Sequence, residues 1–261
     1  MHISPDTAFV SQLDQTINFS GNMNALQVAI ESNNVGVSLL EASRYEEALN
    51  VFRSAADLMY VVTQVLKTTD PVDGDRHARM SDPSTCKKVQ EAQEKMRTVS
   101  NKLLKDNPQL AARRLETDCF LHVRAFNLWM PTEGDEVPCA LHSATILANM
   151  ALAYHLAVPQ ISSSNFSMFH NAMTLYDMAY SVAARVECNE HSSRIIMVTL
   201  NNLGMIHHEC GKYDEASCIL NSLQEYIQHR IKDGDDSFSA EKRAYLLNAM
   251  LVVKPRGAAA A

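Results

Sequence analysis

Two stretches of this chain keep one spacing. Asn33-Asn34-Val35-Gly36 is followed by Tyr45 and Ala48, nine and twelve residues after the glycine, and Asn201-Asn202-Leu203-Gly204 is followed at the same two distances by Tyr213 and Ala216. A pattern held over the 168 positions from Gly36 to Gly204 says that the chain is assembled from copies of one unit. Each copy reads as a helix, a short turn and a second helix. Glycine inside a helix costs about 1 kcal/mol of propensity, and its use there is to let a partner helix come close. Ala48 and Ala216 supply the matching small residues on the second helix. Glu41 to Arg44 and Glu209 to Lys212 form the turns, with Gly211 suited to a left-handed C-terminal position. Tyr45 and Tyr213 are expected to wedge into the corners.

The pattern resembles the tetratricopeptide repeat, a helix-turn-helix unit of about 34 residues. Phe52 and Leu220 stand where that family has an aromatic residue or Leu in the second helix, and Ala55 stands where it has Ala. A third copy lies between Asn149 and Ala179: Ala151, Ala172, Tyr176 and Ala179 keep the spacing within each half. Nine extra residues separate its halves, so its turn is a longer loop. Ala148 to Leu156 and Leu200 to His207 are also similar to an expanded group of tetratricopeptide-like proteins from diatoms, which brings no activity with it. The second of these resembles a kinesin light chain repeat as well.

The resemblance implies an all-α fold: a tetratricopeptide-like right-handed stack of antiparallel helix pairs, with an irregular insertion and a C-terminal capping helix. It also implies a concave face lined by the first helices. The family positions that point into that face fall on Asn33, Val37 and Leu40 in the first copy and on Leu152 and His155 in the middle one. In the last copy they fall on Asn201, Met205 and His208. The surface they describe is mainly apolar. It lacks the Lys and Arg with which some relatives of this fold grip a carboxylate. Asn33 and Asn201 have two readings: an amide can donate to and accept from one peptide unit of a bound segment, or it can bridge neighbouring helices inside the stack.

Composition agrees with helices: Gly and Pro number only eight each in 261 residues, and 46% of the chain is hydrophobic, ample for a core. A net charge of −7 argues against nucleic-acid binding, which requires a surplus of Lys and Arg on one face. No apolar run is long enough to span a membrane, and the first residues resemble neither a secretory signal nor a transit peptide. With six cysteines scattered without paired spacing, a cytoplasmic protein is expected, a nuclear one being compatible.

Four regions follow. Residues 1–67 hold an N-terminal segment and the first helix pair, and residues 68–137 an insertion of loop, basic amphipathic helix and irregular chain. Residues 138–253 hold two further pairs and a capping helix, and 254–261 a tail. Within the insertion, Val89, Ala92, Met96, Val99 and Leu103 step at the spacing of a helix that packs on another helix. Residues 119–130 read as extended or irregular chain, buried through Phe120, Phe126 and Trp129.

Catalytic signatures fail one by one. His208-Glu209 starts like a zinc-protease helix, but Lys212 stands where the second His belongs. Gly211-Lys212 continues with Tyr213, so no phosphate loop forms. His207, His208 and Cys210 offer imidazole and thiolate ligands without a fourth partner nearby. The expectation is therefore a non-catalytic module with no metal or cofactor, binding a protein or peptide partner in its groove. The alternative is a helical enzyme or small-ligand protein with a site at residues 119–170, where the repeat is interrupted and where His122 and His155 lie.

Overall fold

In the computed structural model the described residues are 24–67, 87, 91, 94, 98, 124–130, 139–158, 165–186, 188–234, 237 and 239–252. They form seven helices and, among the described residues, no strand: α1 (24–41), α2 (Tyr45–Lys67), α3 (Cys139–Ala157), α4 (Asn165–Ala183), α5 (Glu190–Glu209), α6 (Tyr213–Lys232) and α7 (Ser239–Val252). The all-helical expectation holds. Lys87, Glu91, Glu94 and Thr98 are also helical and exposed, whereas the apolar seam from Val89 to Leu103, Phe120 and the two termini lie outside the described residues.

Local chemistry sets the helix ends. Asn189 caps α5 through a reciprocal box: its side chain accepts from the Ser192 N–H at 2.8 Å, and Ser192 Oγ accepts from the Asn189 N–H at 2.9 Å. The turns after α1 and α5 are built alike. Ser43 and Gly211, each seven residues past the repeat glycine, take φ of 59° and 73°, the left-handed region in which glycine is free and serine is strained. Around both, the same two bonds close the helix: the Ser43 N–H donates to Leu40 and the Arg44 N–H to Leu39, as Gly211 does to His208 and Lys212 to His207.

Helices adjacent in sequence pack together from α2 to α7, and the skipping contacts α3–α5 and α5–α7 bring alternate helices face to face. α1 joins them through two apolar clusters. In one, Ala25 to Ile30 meet Ala55, Leu58, Met59 and Val62 of α2 and Ile146 of α3. In the other, Val37, Leu39 and Leu40 meet Leu49 and Phe52 of α2 and Leu152 and Ala153 of α3. A third cluster, the largest, unites α3, α4, α5, α6 and α7. Arg194 of α5 holds α7 by a forked ion pair to Glu241, at 2.8 and 3.2 Å.

One contact recurs in all three helix pairs. A Cβ added to Gly36 would stand 2.6 Å from the Phe52 ring, and one added to Gly204 would stand 2.7 Å from Leu220 Cγ. In the middle pair Ala151 and the fully buried Tyr176 share one cluster. The small residue on the first helix thus makes room for the large one on the second. The corner tyrosines differ. Tyr45 is half-buried beneath the cluster that includes Leu152 and Leu156, but Tyr213 is 58% exposed, with His208 edge-on at 5.2 Å. The expectation that Tyr213 wedges into its corner is corrected: in the last pair its ring lies on the surface.

Gly204→Ala should destabilise the protein by about 1–3 kcal/mol by overpacking against Leu220, despite the better helix propensity of alanine. Urea denaturation checks this, and Leu220→Ala in the same chain should make the added methyl nearly harmless.

Candidate functional site

Buried asparagine demands partners, because an amide removed from water without hydrogen bonds costs several kcal/mol, about 1–3 on protein scales. α1 carries Asn33 and Asn34, α3 carries Asn149, and Asn33 and Asn149 are at most 1% exposed. Their partners are the backbone of residues 124–130, a non-helical stretch that crosses α1 and α3. Asn149 Nδ2 donates to the Phe126 carbonyl at 2.8 Å, and the Phe126 N–H donates back to Asn149 Oδ1 at 2.8 Å. Two residues on, Asn34 does the same for Leu128: its Nδ2 donates to the Leu128 carbonyl at 2.8 Å and its Oδ1 accepts from the Leu128 N–H at 2.8 Å. Asn33 ties the two together, donating to the Phe126 carbonyl at 3.0 Å and accepting from Asn149 Nδ2 at 2.9 Å. Each amide acts as the edge of a neighbouring β-strand would.

The segment is seated by alternate side chains. Phe126 and Leu128 are buried while Asn127 and Trp129 are exposed, the alternation of an extended chain, and Arg124 at the start of the segment is exposed as well. Leu128 enters the cluster of α1, α2 and α3, and Phe126 enters that of α3 to α7. The Arg194 guanidinium lies 5.2 Å from the centre of the Phe126 ring, and His191 meets the rings of Phe126 and Trp129 edge-on. Trp129, expected to be buried, is 54% exposed because the alternation turns it outward. Its carbonyl faces His142 Nε2 at 3.4 Å.

The energetics are close to balance. Five amide hydrogen bonds at about 1 kcal/mol each and two apolar side chains at about 2 kcal/mol each give roughly 9 kcal/mol in favour of seating. Fixing seven residues of backbone opposes it by about 7–14 kcal/mol.

The groove expected from the sequence is therefore not open. Val37, Leu40 and Leu152 are core: α1 and α3 approach so closely that these side chains pack on one another. His155 is buried with the rings of Phe169 and Tyr176 edge-on to it, and its Nε2 lies 3.7 Å from Glu209. Asn201 is fully buried, donating to Asn202 Oδ1 at 3.0 Å and accepting from Asn248 Nδ2 of α7 at 2.8 Å. Asn202 donates in turn to the Tyr176 hydroxyl at 3.0 Å. Met205 is buried and His208 half-buried against Tyr213. At Asn33 the chain supplies its own peptide, and at Asn201 it supplies a bridging helix. Asn33 and Asn201 both bridge helices, Asn33 to Asn149 of α3 and Asn201 to Asn248 of α7, and it is Asn34 and Asn149 that donate to and accept from one residue of extended chain. An open cleft of about 590 Å³ lies elsewhere, between the α1–α2 corner and the end of α3, where Arg53 donates to the Tyr154 hydroxyl at 2.6 Å.

Asn34 and Asn149 were not among the expected groove residues. The signal for them was in the sequence: Asn34, Asn149 and Asn202 each stand two residues before the small residue of their copy, Gly36, Ala151 or Gly204.

Asn149→Ala should lower stability by about 2–4 kcal/mol in urea denaturation, since it strips the Phe126 peptide and Asn33 of buried partners. Asn127→Ala, on the exposed side of the same segment, should change it by less than about 0.5 kcal/mol. Protonation acts on the same seat. Burial pushes His142 below its ordinary value of 6.5, the Trp129 carbonyl opposing it, and burial, then the charges of His142 and Arg194, push His191 down. The folded chain then binds fewer protons than the unfolded one. Stability present above pH 6.5 should fall as pH drops from 6.5 through the lowered folded values, and His142→Gln with His191→Gln should flatten that part of the profile.

No family model, curated protein or solved structure matches this chain.

Proposed function

We propose that the protein is a non-catalytic interaction module of the tetratricopeptide-like kind, which recognises extended peptide by its main chain across the first helices of its pairs. One observation carries the reading: Asn34 and Asn149 each donate to and accept from a single residue of a non-helical segment, at 2.8 Å throughout. Side-chain amides used in this way bind backbone, and alternate pockets then select side chains, which is the logic of strand-addition recognition. The seats of Phe126 and Leu128 are such pockets. A structural rather than catalytic role suits His155, whose buried ring is packed among aromatic neighbours. A protein partner, rather than nucleic acid, fits the net charge of −7, and a cytoplasmic setting fits six cysteines without paired spacing.

Selection of displayed peptides on the purified full-length chain tests the reading. Peptides that bind with micromolar dissociation constants, and that lose binding when one backbone N–H is methylated, are the expected result; a library that yields no binder contradicts it.

A further inference from the structure

Residues 124–130 meet the helices through backbone hydrogen bonds and a few apolar side chains. Ala25, Ala29 and Ile146 share a cluster across α1 and α3, and Val37 and Leu152 share another, so α1 and α3 also meet each other directly. The bonds from Asn33, Asn34 and Asn149 go to the N–H and C=O of residues 126 and 128, groups that every non-proline peptide carries. Two side chains are fully seated, Ala125 and Met130 packing only at the margins of the clusters. Phe126 lies under the Arg194 guanidinium with His191 at its edge, a setting made for an aromatic ring, and Leu128 sits among the alkyl side chains of α1, α2 and α3. Arg124, Asn127 and Trp129 face outward.

We propose that residues 124–130 are an internal stand-in for a partner: the same cradle takes, in trans, an extended peptide with an aromatic residue and an aliphatic one two positions later. The inference rests on the peptide-module reading and adds self-occupancy to it. While the segment is seated, a partner binds only the fraction of molecules in which it has left, so apparent affinity is reduced by that fraction. The near-balance of seating against backbone ordering is what lets an added peptide compete.

The test uses the full chain and a labelled synthetic peptide spanning residues 121–131, whose middle reads Ala125-Phe126-Asn127-Leu128-Trp129. Phe126→Gly with Leu128→Gly in the protein empties both seats, and fluorescence polarisation should show this variant binding the peptide at least about tenfold more tightly than the unaltered chain. A peptide N-methylated at the Phe126 position should bind neither protein. A variant with unaltered helicity that binds no better than the unaltered chain overturns the proposal. Hydrogen exchange of the unaltered chain gives a second reading that needs no folded variant. The amides of Phe126 and Leu128 should exchange through a local opening while those of α5 stay protected; equal protection in both places overturns the proposal. Displayed peptides that bind without altering exchange at residues 126 and 128 would leave the module reading intact and sink this one.

Discussion

The structure depends on buried side-chain amides finding a peptide to pair with. Asn33 and Asn149 are buried and Asn34 is half-buried at the junction of the first two helix pairs, where an unpaired amide would cost more than an ordinary hydrogen bond returns. Residues 126 and 128 satisfy them, and in doing so link the apolar cluster of α1 and α2 to that of α5, α6 and α7. At the other end the same need is met by a helix: Asn248 of α7 reaches Asn201, and Asn202 reaches the Tyr176 hydroxyl. One residue type at one place in each helix pair is used to hold an extended chain at one end and to lock helices at the other.

This placement requires helices that approach closely. Gly36 and Gly204 admit Phe52 and Leu220 to distances that no Cβ would tolerate, and Ala151 with Tyr176 repeats the arrangement between them. Close approach within each pair leaves first-helix residues such as Val37 and Leu152 to pack directly on the next pair. A continuous hollow along those positions is lost as a result. Residues 124–130 lie along the line of amides that remains between α1 and α3.

Much of the fold could be read from the chain, because its determinants are local. The glycine, alanine and tyrosine spacing places the paired helices, and the observed bounds fall within a few residues of that pattern. Ser43 was not legible as the counterpart of Gly211, since nothing in a serine announces a left-handed backbone. The candidate site was half legible. The sequence marks Asn33 and Asn201 as amides with a task and residues 119–130 as irregular and apolar, but no periodicity joins two stretches more than ninety positions apart. That Asn34 and Asn149 read residues 126 and 128 follows from three-dimensional closure alone. The outward turn of Trp129 follows from the same closure, because seating Phe126 and Leu128 fixes the parity of their neighbours.

The amide pairing itself is open to direct observation by nuclear magnetic resonance on the isotope-labelled full chain. The account predicts cross-relaxation between the Asn149 side-chain amide protons and the backbone of Phe126, and between those of Asn34 and the backbone of Leu128, with both side-chain amides slow to exchange with water. Asn34 and Asn149 side chains that exchange freely and show no contact with residues 126 and 128 would contradict it.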